Sequence, residues 1–213
     1  LYAQLTNEIS SVRTPIHRYV IDVNRDPAGQ SLYSGQNTTA LCPITDFDGL
    51  PIYKHDQEPD VQEIEHRLET FHKPYHLALE AELQRVKDIH GFAVLYDCHS
   101  IRSNIPYLFD GVLPDFNIGT NLGTTCSTVL EQNVTDICNA ADAFTTIVNG
   151  RFKGGWTTRH YGGPKKSVHA IQMELAQSTY LHSQKPPWDY DPIKAGVLRK
   201  TLKEIISMLS DWR

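Results

Sequence analysis

The sequence has 213 residues, and its 20 Lys and Arg against 25 Asp and Glu give a net charge of −5 with neutral histidines. Apolar residues make up 40% and charged residues 21%, which is typical of a globular chain and excludes a disordered, collagen-like or coiled-coil protein. The acidic balance disfavours nucleic-acid binding, and no apolar run approaches the ~20 residues of a membrane span. Because there is no repeat, low-complexity tract or linker, one domain over residues 1–213 is expected.

The four cysteines stand at positions 42, 98, 126 and 138 and form no Cys-x-x-Cys pair. The sequence therefore indicates neither a zinc knuckle nor a thioredoxin-type redox pair. Free thiols are typical of an intracellular protein, so a cytoplasmic location is expected.

Residues 18–23 (RYVIDV) are rich in β-branched and aromatic side chains and predict a short strand. The polar residues Asn24, Arg25 and Asp26 follow it directly. Residues 28–58 carry many Gly, Thr, Asp and Pro without a helical period, which predicts a long surface loop. A long loop inside a compact domain is often functional.

An amphipathic helix is predicted over residues 61–89, where apolar side chains recur every three or four positions. Pro74 lies inside this pattern and should kink or split the helix, because it lacks an amide hydrogen and crowds the preceding turn. Gly91 is the predicted stop. Residues 92–96 (FAVLY) then form a continuous apolar run, typical of a strand covered on both faces, and the polar residues 97–100 (DCHS) follow.

Three further elements are predicted in the second half of the chain. Residues 128–148 predict a helix that stops at Asn149-Gly150, and residues 168–175 (VHAIQMEL) predict a strand. The last helix starts at Asp191-Pro192, a cap followed by proline in the first turn. Its predicted buried stripe is Ile193, Val197, Leu202, Ile205, Ile206 and Leu209. Strands that alternate with long helices predict an α/β sandwich around a mixed sheet.

Polar residues follow the predicted strands where α/β proteins bind ligands, beyond the carboxyl ends of the strands. Asp97 and His99 should share one face if the strand continues, because side chains alternate with period two. A carboxylate beside an imidazole sets its tautomer, as it does around metal ligands. Cys98 should point to the opposite face, so we interpret it as a small buried residue and not as a nucleophile acting with His99.

Glu174 lies within an apolar strand and has two interpretations. In an interior strand a carboxylate is costly unless paired, and burial would raise its pKa toward the range of a general base. In an edge strand Gln172 and Glu174 would share a solvated face and need no explanation. The pattern alone leaves both open.

His72 and His76 have the i, i+4 spacing that places two metal ligands on one helical face. Pro74 biases Lys73 away from the helical region, which argues against this shared face and favours a pocket role for His76 alone. A basic, glycine-rich stretch over residues 149–163 and a second glycine-rich turn over residues 119–125 are either solvated loops or anion-binding segments. The basic stretch favours a small anionic substrate, and the Walker pattern is absent.

Six motifs together resemble the N-formylglutamate amidohydrolase family. They are RYVIDVNRDP (18–27), PYHLAL (74–79), DCHSIRS (97–103), GTNLGTTC (119–126), NGRFKGGWTTRHYGGP (149–164) and VHAIQMELAQSTY (168–180). The resemblance implies a three-layer, phosphorylase/hydrolase-like α/β fold related to zinc carboxypeptidases. It also implies zinc-dependent cleavage of N-formyl-L-glutamate into formate and L-glutamate, in histidine breakdown.

The resemblance also implies residue roles. His99 would be a zinc ligand and Glu174 the general base, and Arg102 is the candidate for stabilising the oxyanion. Asn24 and Arg25 are similar to the pair that holds a substrate carboxylate in carboxypeptidase-like sites. The other candidate substrate-binding residues are His76, Asn121, Arg151, Arg159 and His160. Two cationic groups are expected for a small dicarboxylate, Arg25 and one of Arg151 or Arg159.

One departure from the family concerns the metal site. The family has an upstream segment with a histidine and an acidic residue that complete it, whereas the resemblance here starts at about Leu1 and Tyr2. We expect a chain that lacks this segment, in which His99 alone does not hold zinc tightly, since a catalytic zinc takes three protein ligands. Two alternatives stay open: a hydrolase of another N-acyl amino acid or peptide terminus, and an inert anion-binding member.

Overall fold

The chain folds into an open four-stranded mixed sheet with α-helices against both faces, in a computed structural model that describes residues 1–3, 5, 9–30 and 39–213. The helices of this part are α1 (Val61–Arg67), α2 (Lys73–His90), α3 (Thr128–Asn139), α4 (Trp156–Tyr161) and α5 (Pro192–Asp211), with a π-helical turn at Leu68–His72 and 3-10 turns at Pro164–Lys166 and Gln177–Thr179. The strands are β1 (Ala93–Ile101), β2 (Phe116–Gly119), β3 (Thr146–Val148) and β4 (Val168–Ala176). The predicted α/β class with a mixed sheet is confirmed.

Strand β4 lies inside the sheet, whose strand order is β1-β4-β2-β3. It runs parallel to β1 and antiparallel to β2. All nine residues of β4 are buried, so Glu174 is an interior residue and the solvated-edge interpretation is wrong. The register places His99 beside Glu174 and Asp97 beside Gln172. Because β1 and β4 are parallel, their carboxyl ends meet at the same edge of the sheet.

Alternation along the strands sends side chains to two helical layers. On one face α3 and α5 cover the sheet, and the buried cluster there includes Ile118, Leu130, Val134, Ile171, Met173, Leu198, Leu202 and Ile205. On the other face α2 packs through Leu79 and Leu83 against Val168 of β4. Gln172 and Glu174 share the face of Val168, because an even number of positions separates them. The candidate site therefore lies on the α2 side of the sheet.

The long predicted helix is a continuous helical run with a widened turn in its middle. The π-helical turn ends directly before α2, in which Pro74 occupies the first turn. A widened turn accommodates a proline that supplies no amide hydrogen and crowds the preceding carbonyl. α2 ends as predicted at Gly91, which takes the left-handed φ of 81° that glycine tolerates best.

α5 begins as predicted after Asp191, whose carboxylate accepts hydrogen bonds from the amides of Ile193 and Lys194. Ile205 and Ile206 are buried as expected, but Ile193 and Val197 are 81% and 43% exposed, so the first turns of the predicted stripe are wrong. None of the helices in the described ranges is long and apolar enough to cross a membrane.

Two predicted elements differ in the structure. Residues 18–23 form turns instead of a strand, and the amide of Asp22 bonds to the carbonyl of Leu41, which belongs to a loop (2.7 Å). The predicted helix over residues 128–148 ends at Asn139, and its last part is the strand β3. Residues 145–148 (TTIV) are β-branched and β3 pairs with β2, so strand propensity and pairing outweigh the helical spacing.

The predicted surface loop over residues 28–58 has no helix or strand in its described part. That part consists of turns and a single bridge between Thr45 and Pro51. Residues 31–38 of this prediction lie outside the described residues.

Candidate functional site

A cavity of about 280 Å³ opens at the carboxyl ends of β1 and β4. This volume lies near the lower end of the range for ligand pockets, which suits a small molecule. Its lining includes Arg18, Asn24, Arg25, Asp26, Phe47, His99, Ile101, Arg151, Phe152, Gly155, Gln172 and Glu174. The three places that the sequence predicted for one site, at residues 24–26, at His99 and at Glu174, thus meet in one cavity.

Glu174 is a buried carboxylate in the lining of this cavity, with 7% of its surface exposed. Its Oε2 accepts a hydrogen bond from Gln172 Nε2 (3.3 Å), and Gln172 Oε1 accepts one from the Gly155 amide (2.6 Å). Burial raises the pKa of Glu174, although the charges of His99 and Arg18 oppose the rise. The carboxylate is therefore a better proton acceptor than an exposed glutamate.

His99 is held by Asp97 on the same face of β1, as the alternation predicted. His99 Nε2 lies 2.8 Å from Asp97 Oδ1, and the other oxygen of Asp97 accepts from the Thr158 hydroxyl (3.0 Å). Burial opposes a charge on His99, but the charge and hydrogen bond of Asp97 raise the pKa of His99 to about 9. In this arrangement the imidazole is a proton-bearing donor to Asp97.

Asn24 approaches the same nitrogen of His99 as Asp97 does. Its Oδ1 accepts the amide of Thr157 (2.9 Å), which turns Nδ2 toward His99 Nε2 at 3.2 Å. One ring nitrogen cannot donate to Asp97 and also accept from Asn24, so the shorter contact with Asp97 is the hydrogen bond. Gly155 lies against the Asn24 carboxamide, and a Cβ at this position would overlap with it.

Arg25 is held in place by the loop that precedes α1. Its Nε and Nη2 donate to the carbonyl and the hydroxyl of Thr39, both at 2.8 Å, and its Nη1 lies 3.5 Å from Asp22. Arg151, the third arginine of the lining, donates to the carbonyl of Leu108 (3.2 Å) and lies 5.3 Å from the ring centre of Phe152. Both side chains present a fixed positive charge at the cavity, which suits a carboxylate.

Arg18 is a lining residue that the sequence did not suggest. It forms an ion pair of 2.6 Å with the buried Asp22, and both lie in the run that predicted a strand. Burial alone would raise the pKa of Asp22, but the charges of Arg18 and Arg25 outweigh this effect and lower it. The sequence did contain a signal for this contact, namely Arg18 and Asp22 as opposite charges spaced i, i+4. In a strand these two side chains would lie on one face but too far apart to pair, so the ion pair requires turns instead of a strand.

Five predicted site residues lie outside the lining of this cavity. Arg102 pairs with Asp48 (2.8 Å), Asn121 donates to Thr124 (2.8 Å), Arg159 donates to the carbonyl of Gly154 (2.8 Å), His160 stacks on Trp156 (4.2 Å between ring centres) and His76 bonds to Tyr161 and to the backbone of Val23. Their substrate contacts stay predictions. The glycine-rich turns pack against each other, since the Asn121 amide bonds to the carbonyl of Lys153 (2.6 Å).

Cys98 is exposed, so its interpretation as a buried residue was wrong. β1 runs on to Ile101 and forms an edge of the sheet, and a second cavity of about 750 Å³ lies along this strand. Cys98 lines that cavity and Glu174 lines the first one, whereas His99 borders both. All four cysteines are free thiols, as predicted.

Comparison with known proteins assigns the family. The family model described as N-formylglutamate amidohydrolase matches residues 1–181. The chain belongs to this family. It is 44% identical over 203 residues to the N-formylglutamate deformylases of Pseudomonas aeruginosa and Pseudomonas putida, which covers 95% of this chain and 76% and 75% of those proteins. The protein is therefore an amidohydrolase, as the six motifs implied.

Two solved structures share the fold. The N-formylglutamate amidohydrolase of Ralstonia eutropha superposes with a TM-score of 0.73 at 23% identity, over 92% of this chain and 73% of that one. A protein of Agrobacterium tumefaciens superposes with a TM-score of 0.62 at 15% identity, over 91% of this chain and 67% of that one. At these identities the likeness concerns the fold.

The described residues of this protein do not form a complete zinc site. Within the described ranges, no three His, Cys, Asp or Glu side chains converge as metal ligands. His99, the predicted ligand, has its Nε2 against Asp97. Lys73 is helical despite Pro74, so His72 and His76 do share one helical face, with ring centres 4.4 Å apart. Each ring directs Nε2 to a backbone carbonyl, which agrees with the disfavoured metal pairing. A catalytic zinc takes three protein ligands, and one imidazole does not replace them.

Proposed function

We propose that this protein hydrolyses N-formyl-L-glutamate to formate and L-glutamate, in the breakdown of histidine. The observation that carries the proposal is the buried Glu174 beside His99 in a small cavity that Arg18, Arg25 and Arg151 also line. The name of the relatives, N-formylglutamate deformylase, supports the choice of reaction. A buried base, an imidazole and several guanidinium groups suit the hydrolysis of an amide that carries carboxylates.

Glu174 is the proposed general base. Its carboxylate takes a proton from a water molecule whose oxygen attacks the formyl carbon, and later gives that proton to the nitrogen of the leaving glutamate as the C–N bond breaks. Burial raises the pKa of Glu174, which favours proton acceptance near neutral pH. Gln172 fixes the carboxylate through the 3.3 Å hydrogen bond.

The arginines are the proposed binding groups for the two carboxylates of the substrate. Arg25 and Arg151 line the cavity and Arg159 does not, so we choose Arg151 as the second group of the predicted pair. Asn24 would orient one carboxylate with Arg25. Arginine suits this task because its planar donors match a carboxylate with two hydrogen bonds.

Zinc dependence is a separate part of the proposal. If zinc is used, His99 is the ligand proposed from this chain, and the ion would polarise the formyl oxygen and lower the pKa of bound water. The metal content of the purified protein, measured by mass spectrometry after zinc addition and gel filtration, tests this part. Stoichiometric zinc in the wild type that is lost in His99→Ala supports it. Zinc that the wild type does not retain, or that His99→Ala retains equally, contradicts it.

A substrate panel tests the proposed reaction. N-formyl-L-glutamate is compared with N-formyl-L-alanine, which lacks the side-chain carboxylate, and with N-acetyl-L-glutamate, which has a larger acyl group. We expect the highest kcat/KM for N-formyl-L-glutamate. Faster hydrolysis of either analogue would favour the alternative of another N-acyl amino acid, and binding of all three without hydrolysis would favour an inert anion-binding protein.

A further inference from the structure

Two buried histidines support the backbone on both sides of Asn24. His72 ends the π-helical turn and His76 lies one turn later in α2, and their relative exposures are 2% and 9%. Their ring centres are 4.4 Å apart. His72 Nε2 lies 3.1 Å from the carbonyl oxygen of Arg25, and His76 Nε2 lies 2.8 Å from that of Val23.

These contacts determine the tautomers of both rings. A carbonyl oxygen accepts hydrogen bonds and donates none, so each Nε2 carries a proton. The unprotonated Nδ1 of His76 then accepts from the hydroxyl of Tyr161 at 2.9 Å. Burial lowers the pKa of His76 to about 4 and also lowers that of His72, so both rings are neutral donors near pH 7.

The supported segment has little backbone pairing of its own. Residues 18–30 contain no helix or strand, and the amide of Arg25 bonds locally to the carbonyl of Asp22 (3.1 Å). Asn24 nevertheless has to point into the cavity, where it meets His99 and the Thr157 amide. Two hydrogen bonds from helical histidines hold the carbonyls of the residues before and after Asn24. They fix the backbone here as the hydrogen bonds of a β-sheet would fix a strand.

We infer that His72 and His76 are positioning residues that hold the carbonyls of Arg25 and Val23 and thereby place Asn24 and Arg25 in the cavity. Neither imidazole lines this cavity. For His76 this is an indirect role in substrate binding, and its kinetic consequences rest on the proposed function.

The kinetic test compares a polar with an apolar replacement of His76. In His76→Gln the amide nitrogen stands in for Nε2 and donates to the Val23 carbonyl, whereas His76→Phe fills the space without a donor. His66→Phe makes the same change at an exposed histidine of the same helical run and is the control. We expect KM for N-formyl-L-glutamate to rise about tenfold in His76→Phe, since one hydrogen bond is lost, and to stay within about threefold in His76→Gln.

Thermal unfolding separates positioning from mere packing. Phe contacts Trp156 and Tyr161 at least as well as Gln does. If His76 only fills space, His76→Gln should therefore be less stable than His76→Phe and should have the higher KM. Positioning predicts the opposite order for KM. A KM for His76→Phe equal to or below that of His76→Gln would overturn the inference.

A spectroscopic test works even if the proposed reaction fails. Nitrogen-15 NMR of the wild-type protein at neutral pH should show the Nε2–H tautomer for both His72 and His76. The side-chain amide signal of Asn24 should shift in His76→Phe and stay in place in His66→Phe. An Nδ1–H tautomer at either ring, or an unmoved Asn24 signal, would refute positioning independently of any activity.

Discussion

Replacing Glu174 by Gln separates the proposed proton transfer from the structure that holds the side chain. Gln172 donates to Glu174 Oε2, and a carboxamide oxygen at the same place accepts the same hydrogen bond. A carboxamide, however, does not take up a proton at neutral pH. General-base catalysis contributes about 100- to 10,000-fold, so kcat should fall at least about 100-fold, which corresponds to ~2.7 kcal/mol of activation free energy.

The same substitution should stabilise the fold. Burial raises the pKa of Glu174 from 4.5, although His99 and Arg18 oppose the rise. Between 4.5 and the raised value the native protein keeps a proton that the unfolded chain has lost, so wild-type stability falls as pH rises through this window. The E174Q variant has no such loss. Its stability advantage over the wild type should therefore grow upward from about pH 4.5.

Formate release and urea denaturation measure the two effects. Both are recorded for the wild type, for E174Q and for Glu204→Gln, a control at an exposed glutamate of α5. The expected result is a loss of turnover together with a gain in the free energy of unfolding at neutral pH, with neither change in the control. Near-normal kcat in E174Q would remove Glu174 from the mechanism, and a loss of stability would show that its buried charge is favourable.

Three further predictions concern binding and stability. Arg25→Lys should raise KM for N-formyl-L-glutamate about tenfold with little change in kcat, because lysine cannot form the two parallel hydrogen bonds that we propose between Arg25 and a substrate carboxylate. Steady-state kinetics in which only kcat falls would contradict this. Asp22→Asn should destabilise the fold above the usual carboxyl pKa, since Arg18 and Arg25 lower the pKa of Asp22 against the effect of burial, and the difference should shrink as pH falls; a pH-independent difference in urea denaturation would refute the pairing. Phe116→Ala should cost about 3–5 kcal/mol of unfolding free energy, because Phe116 is fully buried; a loss below ~1 kcal/mol would show that the core collapses around it.

The contact between Asp97 and His99 could be predicted from the sequence, because period-two alternation is a local property. The burial of Glu174 could not. Whether its strand is central or at an edge depends on which strands pair with it, and β2 and β1 lie far from it in sequence. The apolar run around Glu174 fits both situations equally well.

Two misassigned elements show how long-range pairing overrides local patterns. Residues 141–148 continue a helical spacing of apolar side chains, but Thr146–Val148 pairs with β2 and becomes a strand. Residues 18–23 have strand-forming side chains without a strand partner, and the ion pair of Arg18 with Asp22 is compatible with turns. Arg102 and Arg159 lie outside the cavity lining for a related reason, since motif order along the chain does not fix which way a side chain points.

Formate release from N-formyl-L-glutamate, measured together with L-glutamate in zinc-supplemented buffer, is the direct test of hydrolysis through Glu174. We expect the wild-type protein to produce formate and L-glutamate in equal amounts and E174Q under the same conditions to produce neither at a comparable rate. The absence of formate from the wild type, or formate release that E174Q matches, would contradict the proposed hydrolysis through Glu174.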